Sequence, residues 1–503
     1  MYLLTVAFLM DLNMVKCIYD KIYLLMNRTS DIRLEQWRQD LHTAVTLPEP
    51  DKSMILKDFE DALSFYEERG FPQEKALELL DPNRLGTFYR KENRRVFELE
   101  SSARIYPFLG KGKQRMVFRL TAHLFEPPVV PLLQIALTFV IRRFPTFACS
   151  VVPGRFWHAL ILQPHRFAVS EKKAPPCSLS TASSMPYQNL WVFWSEKEIA
   201  AEFSHVLTDG YGGMLFLDAL LREYFRLLDT PVSHGQNSIR IEEEADEAEL
   251  ENIFIKNRPG RTHSEFHPFS IHPDLSMEKE TPSQSIYFRF PADILKAAAK
   301  KHGTTVTVYV LGCLFLALKE CSHRSSGRIS VQIPVNLRKY LETKTVRNAS
   351  MFFVPSLRLC EIDGEAGMYR KIREQFDICS GRREILAAAG NTALLAQAIT
   401  PIPLALKQIL VSLVYPFTGQ YPYTAYFSNP GVLEVPEGME SKVAFIRPDM
   451  YAGSSATPSA AMLTWNGTVL FTLTENTMDS SLAEIMKRLF EKDGIFPVIE
   501  KDH

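Results

Sequence analysis

The sequence predicts an α/β chain with mixed sheets, laid out as two similar halves. Three observations lead there. Strand-like alternating runs interleave with helical runs rather than segregating from them, which is the pattern of helices packed on sheets. The strand-helix layout before a polar connection is repeated in style after it. The 503 residues, 46% hydrophobic and 23% charged, are also enough for two cores of ordinary domain size.

Charge and cysteine usage narrow the function classes. A net charge of -1 lacks the basic excess that nucleic acid or an anionic membrane surface calls for, so small molecules and proteins are the expected partners. The seven cysteines are scattered without a CxxC pair, suggesting neither a disulfide framework nor a zinc site, and a cytoplasmic setting fits. Residues 1–33 are an N-terminal extension of uncertain role. Asp11, Lys16, Asp20 and Lys21 interrupt it well before the roughly 20 apolar residues of a membrane span. It has no basic start or small-residue cleavage site, and Met10, Met14 and Met26 leave a later start open.

Residues 34–95 read as an accessory helical segment. Phe59, Leu63 and Tyr66 form one apolar stripe and Leu77 and Leu80 another, around the break at Gly70-Phe71-Pro72. The first half, 96–235, opens with extended segments at 97–100 and 105–108 and a strand over 115–125. Pro127-Pro128 precedes an apolar helix over 130–143 that Phe144-Pro145 stops, and 151–163 reads as a hairpin packed on it. Strands at 191–194 and 199–205 join through a polar turn, and a helix with an apolar face covers 214–228.

Residues 231–282 turn acidic and proline-rich, so a linker or crossover is placed at 236–282. His263, His267 and His272 within it lack cysteine or paired acidic partners and read as solvated loop residues rather than metal ligands. In the second half, 283–503, strands are expected at 285–290, 328–334, 350–359, 424–428, 443–447 and 469–474. Helices are expected at 292–301, 306–319 and 481–492. The apolar run 394–417 carries Pro401, Pro403, Lys407 and Gln408. It reads as a core helix or one lining a hydrophobic channel, with a transmembrane reading as the alternative.

The chemistry concentrates where the 199–205 strand runs into His205-Val206-Leu207-Thr208-Asp209-Gly210-Tyr211-Gly212-Gly213. An imidazole is the side chain whose pKa suits a general base near neutrality. At a strand end, on a turn opened by glycine, it can be presented to a channel. Asp209 has two competing roles: orienting the imidazole, or bracing the loop through an arginine. A strand-turn-helix corner with an incidental histidine would have the same spacing. The glycines do not match a nucleotide phosphate loop.

His205-x-x-x-Asp209-Gly210 resembles the HxxxDG signature of the CoA-dependent acyltransferase superfamily. That superfamily includes chloramphenicol acetyltransferase, plant BAHD enzymes, wax ester synthases, polyketide-associated acyltransferases and peptide-synthetase condensation domains. Other stretches resemble its alcohol acetyltransferase branch, in order: Phe97-x-Leu99-Glu100 with Ala103-Arg104-Ile105-Tyr106-Pro107, Arg143-Phe144-Pro145, Pro334-Val335-Asn336-Leu337-Arg338 with Arg347-Asn348, and Ser428-Asn429-Pro430-Gly431. The likeness spans residue 96 to the C-terminus. Ser204 stands where condensation domains carry a second histidine, and the DFGWG motif of BAHD enzymes is absent.

The resemblance implies two chloramphenicol-acetyltransferase-like halves forming a pseudo-dimer around a central channel. It implies His205 as general base, acyl-CoA (acetyl-CoA) as co-substrate, a small-molecule alcohol or amine as acceptor, and neither a tightly bound cofactor nor a metal. It makes Asp209 structural, held by Arg338, and puts Gly210, Ser428 and Asn429 in supporting positions, the last two near the oxyanion. Ser428-Asn429-Pro430-Gly431 is also an ideal turn. The expected activity is acyl-CoA-dependent O-acylation. The alternatives are a condensation-type or polyketide-associated enzyme served by a carrier protein in trans, since no carrier domain lies in this chain, and a non-catalytic binding protein of the same fold.

Overall fold

The computed structural model describes residues 31–91, 94–109, 116–173, 177, 188–263, 267–273, 284–451, 457–475 and 481–501. Most of the 1–33 extension and the 264–266 and 274–282 parts of the expected linker lie outside them. A helix over 31–44 (α1) precedes α2 (Asp51–Glu68) and α3 (Gln73–Leu79). Their apolar stripes are spaced for one face, and Trp37, Phe59, Leu63 and Tyr66 bury in the same core as the strands and helices that follow.

That core lies on one face of a five-stranded sheet. In chain order come β1 (Val96–Glu98), α4 (Tyr106–Leu109), β2 (Val117–Leu124), α5 (Val130–Val140), β3 (Cys149–Pro153), β4 (His158–Leu162), β5 (Val169–Glu171), β6 (Leu190–Ser195), β7 (Glu198–Ser204) and α6 (Gly210–Leu227). Strands β1, β4 and β3 make a small antiparallel sheet of their own. The larger sheet includes β2, β7, β6 and β5, the β6-β7 pair being the expected hairpin. Period-two alternation sends Phe118, Leu120, Ala122 and Leu124 of β2 into the core with α5 and α6. Arg119 and Thr121 take the opposite face, where Arg119 pairs with Glu202 of β7 at 2.8 Å, both fully buried.

The later part of the chain supplies β8 (Gln284–Pro291), α7 (Ala292–Lys301), α8 (Val306–Cys321), β9 (Arg328–Asn336), β10 (Ser350–Phe353), β11 (Ser356–Arg358), α9 (Ala366–Cys379), α10 (Arg382–Ala398), α11 (Leu404–Tyr415), β12 (Ala425–Val432), β13 (Val443–Met450), β14 (Ser459–Trp465), β15 (Thr468–Glu475), α12 (Ser481–Lys492) and β16 (Val498–Lys501). An eight-stranded mixed sheet runs β10-β9-β12-β14-β15-β8-β16, with β11 also on β9. A second core fills the space between this sheet and α7, α8, α9 and α12. Strand β13 stays beside β14 and β15 of that sheet but pairs antiparallel with β2, completing the five-stranded sheet as its edge.

Three local expectations are corrected. Residues 105–108 are not extended, because a 3-10 turn at Ala103–Ile105 leads into α4, with Pro107 in the first turn, where a missing N–H is tolerated. Residues 350–359 make two short strands rather than one. The 394–417 run is not a core helix: it breaks around Pro401 and Pro403 into the end of α10 and α11, and α11 buries only Lys407. No single helix among the described residues is long and apolar enough to cross a membrane.

Candidate active site

His205 sits one residue past β7. Its backbone N–H donates to the Met116 carbonyl at 2.9 Å, carrying the β2-β7 pairing to the strand end, and Leu207 N–H closes the turn onto Ser204 at 3.0 Å. The chain then enters α6 through Asp209, an extended N-cap residue (φ -102°) whose Oδ1 accepts from Gly212 N–H at 3.1 Å. Of the glycines in the turn, Gly212 is forced. A Cβ there would lie 2.1 Å from both the Thr208 hydroxyl and the Val346 carbonyl. Gly210 is different, since nothing lies within 4 Å of the position its Cβ would take.

A second segment, 336–349, closes over this turn. Arg338 Nη1 donates to Asp209 Oδ2 at 2.8 Å, and Ala349 N–H reaches the same oxygen at 2.8 Å. Both side chains of the pair are more than nine-tenths buried. The rest of the guanidinium holds its own segment: Nε donates to the Thr345 carbonyl at 2.7 Å, Nη1 to Asn336 Oδ1 at 3.1 Å and Nη2 to the Arg347 carbonyl. It also stands 4.8 Å from the Tyr211 ring. Thr208 ties the two segments again through the Val346 carbonyl at 2.6 Å. With both oxygens of Asp209 engaged in this way, the carboxylate holds the loop and makes no hydrogen bond to the imidazole.

His205 is left with its chemistry intact. Its ring lies between Phe118, centroids 4.8 Å apart, and Tyr106 at 5.7 Å, and Nδ1 is buried. Burial pushes its pKa down to about 4, against the pull of the Asp209 carboxylate and the Thr208 backbone. The imidazole is therefore neutral at pH 7.

Two residues in these motifs acquire unexpected contacts. Asn348 donates through Nδ2 to the His205 carbonyl at 2.9 Å, while its Oδ1 accepts from Ser350. Tyr106 hydrogen bonds with the Asn348 side chain, and burial pushes the phenol up to about 12. Both lie in the stretches that carry the family resemblance, Arg347-Asn348 and Ala103-Arg104-Ile105-Tyr106-Pro107. Those stretches are the signal for them, but an extended 105–108 would not set the Tyr106 ring beside the imidazole, as the turn into α4 does. Beside Asn348, Arg347 pairs with the buried Glu100 and donates to the Leu250 carbonyl at 2.9 Å.

Ser428 and Asn429 make no hydrogen bond to His205. They lie on β12, where the pairing with β14 shifts register between Ser428 and Gly431, so the run is a bulged strand rather than a free turn. Gly431 supplies the positive φ (+99°) that the bulge needs. Asn429 Nδ2 donates to Thr307 at the start of α8 at 2.9 Å, and its Oδ1 accepts from Gly431 N–H. His263, from the linker, pairs with Glu384 at 2.7 Å.

Comparison with solved structures decides the architecture. TRI3 trichothecene 15-O-acetyltransferase from Fusarium sporotrichioides superposes with a TM-score of 0.53 at 12% identity, covering 80% of this chain and 94% of that one. TRI101 from F. sporotrichioides, complexed with coenzyme A and T-2, gives 0.51 at 12% identity over 78% and 97%. The epimerization domain from the third module of tyrocidine synthetase B gives 0.50 at 10% identity over 80% and 95%. This chain has the CoA-dependent acyltransferase and condensation-like fold. No family model and no curated protein matches the sequence. The fold thus matches acetyltransferases and a peptide-synthetase domain alike, and the reaction has to be argued from the site.

Proposed function

We infer that this protein is an acyl-CoA-dependent O-acyltransferase, of the alcohol acetyltransferase kind, with His205 as its general base. The observation that carries this is a neutral imidazole, set between the Phe118 and Tyr106 rings, beside a carboxylate already saturated by Arg338, Ala349 and Gly212. Acyl-CoA and the acceptor alcohol or amine meet at His205 in a channel between the halves 96–235 and 283–503. The imidazole takes the proton as the acceptor oxygen attacks the thioester carbonyl carbon. The tetrahedral oxyanion collapses, the C–S bond breaks, and the CoA thiolate leaves and takes up a proton. Asp209 and Arg338 fix the turn, and breaking either leaves the other charge buried alone.

The likeness to a peptide-synthetase domain supports the carrier-protein alternative, in which the acyl group arrives on a phosphopantetheine arm. A thiol-release screen separates the readings: acetyl-CoA and longer acyl-CoA donors against a panel of alcohols and amines, run beside an acyl carrier donor and His205→Ala. Release from free acyl-CoA that His205→Ala abolishes supports the proposal. Transfer from the carrier donor alone favours the alternative. Absence of transfer from either donor, with His205→Ala indistinguishable, sinks both.

A further inference from the structure

Helix α11 is amphipathic and seated inside out. Its two long polar side chains, Lys407 and Gln408, face the protein. Lys407 is buried, its Nζ donating to the carbonyls of Phe156 at 2.7 Å and Thr400 at 3.1 Å and standing 3.9 Å from the centre of the Trp157 ring. Gln408 donates to the Phe108 carbonyl at 3.3 Å. Its aliphatic residues face out: Leu406, Ile409, Leu410, Leu413 and Val414 are between 46% and 65% exposed. A surface helix ordinarily has the reverse arrangement, because exposed aliphatic area is unfavourable by about 25 cal/mol per Å².

The patch continues beyond the helix. Phe417 and Tyr421 pack ring against ring at 5.6 Å, and Phe269 closes the group at 6.2 Å from each, all three exposed. A contiguous apolar surface of this kind marks an interaction site. Its charge content says what kind. Between Glu384 and Glu434 the sequence holds a single charged side chain, Lys407, which is turned inward. A protein partner would find no arginine and no charged rim in this segment to orient it. A neutral bilayer matches it, since aliphatic side chains suit the acyl boundary and exposed aromatic rings suit the headgroup level.

We propose that α11, with Phe269, Phe417 and Tyr421, docks on the surface of a zwitterionic lipid bilayer without crossing it. The helix also borders the candidate site, as Gln408 holds the backbone of α4, whose Tyr106 ring lies 5.7 Å from that of His205. Docking therefore brings the membrane to the His205 side of the molecule. The contact itself is independent of the reaction assigned to His205.

The test is co-sedimentation of the full-length protein with phosphatidylcholine vesicles. The variants are Ile409→Asp/Leu413→Asp and, as a control, Ile378→Asp, a similarly exposed aliphatic residue on α9. Wild type and control pellet with vesicles equally, and the double variant's partitioning falls by about tenfold or more. If the aspartates lower the thermal midpoint, Ile409→Ser/Leu413→Ser provides the same readout. Wild type left in the supernatant overturns the proposal, as does a double variant that binds normally. A wild-type dimer that the double substitution splits would identify a second copy as the occupant. Binding that appears only after removal of residues 1–30 would identify the chain's own N-terminal segment. Either result also overturns it.

Discussion

The turn carrying His205 and the segment over 336–349 that closes on it handle their polar groups in opposite ways. In the second, Arg338 donates to a carboxylate, a side-chain amide and two carbonyls, and Ala349 and Asn348 reach across to the turn. In the first, His205 makes no hydrogen bond to the Asp209 carboxylate, whose oxygens Gly212, Arg338 and Ala349 occupy. A reactive group can be held in place without being consumed by hydrogen bonds if its neighbours four residues on and more than a hundred residues away take up the constraint. The site is thus divided between a chemical turn and a structural brace.

Separate substitutions should pull the two apart. His205→Ala is expected to lower kcat/KM for acyl transfer by about 10²–10⁴-fold while leaving the thermal midpoint nearly unchanged. Arg338→Ala should do the reverse. It strands the buried Asp209 carboxylate and is expected to lower stability by about 3–5 kcal/mol in denaturant titration. A variant that lost activity at full stability would assign Arg338 a chemical part instead.

The glycines sharpen the contrast within the turn. Gly212→Ala drives a methyl group into the Val346 carbonyl, with an expected loss of about 1–3 kcal/mol. Gly210→Ala meets open space and should stay within about 0.5 kcal/mol. Equal effects at the two positions would mean that 336–349 does not press on the turn. Asn429→Ala, remote from the pair and bonded to Thr307, should cost about 1 kcal/mol of stability.

The sequence pattern made local features readable and long-range ones obscure. The β6-β7 hairpin and α6 follow from alternation and apolar period over a few residues, and the extent of α12 is as expected. Strand β14 is not legible in the sequence, because Ser459–Trp465 is buried on both sides, without alternation. Helices α9 and the first part of α10 were likewise unassigned. Asn348 holds the His205 carbonyl across 143 residues, a contact that no local pattern encodes. The apolar period of α11 was visible, but the direction of its apolar face was not, because periodicity marks a stripe and not what covers it.

The most direct test of the central claim is thiol release from acetyl-CoA with an accepted alcohol, measured from pH 3.5 to 8 in wild type and His205→Ala. A histidine held neutral by burial, with its pKa near 4 instead of the ordinary value of about 6.5, keeps kcat/KM level from pH 7 down to about 5. Activity then falls through an acid limb centred near 4. The same shift means that the stability contributed by keeping the imidazole neutral is complete above about pH 6.5 and is lost as pH falls through about 4. That limb is expected in wild type, with negligible release by His205→Ala at every pH. A variant whose profile overlays that of wild type would contradict it.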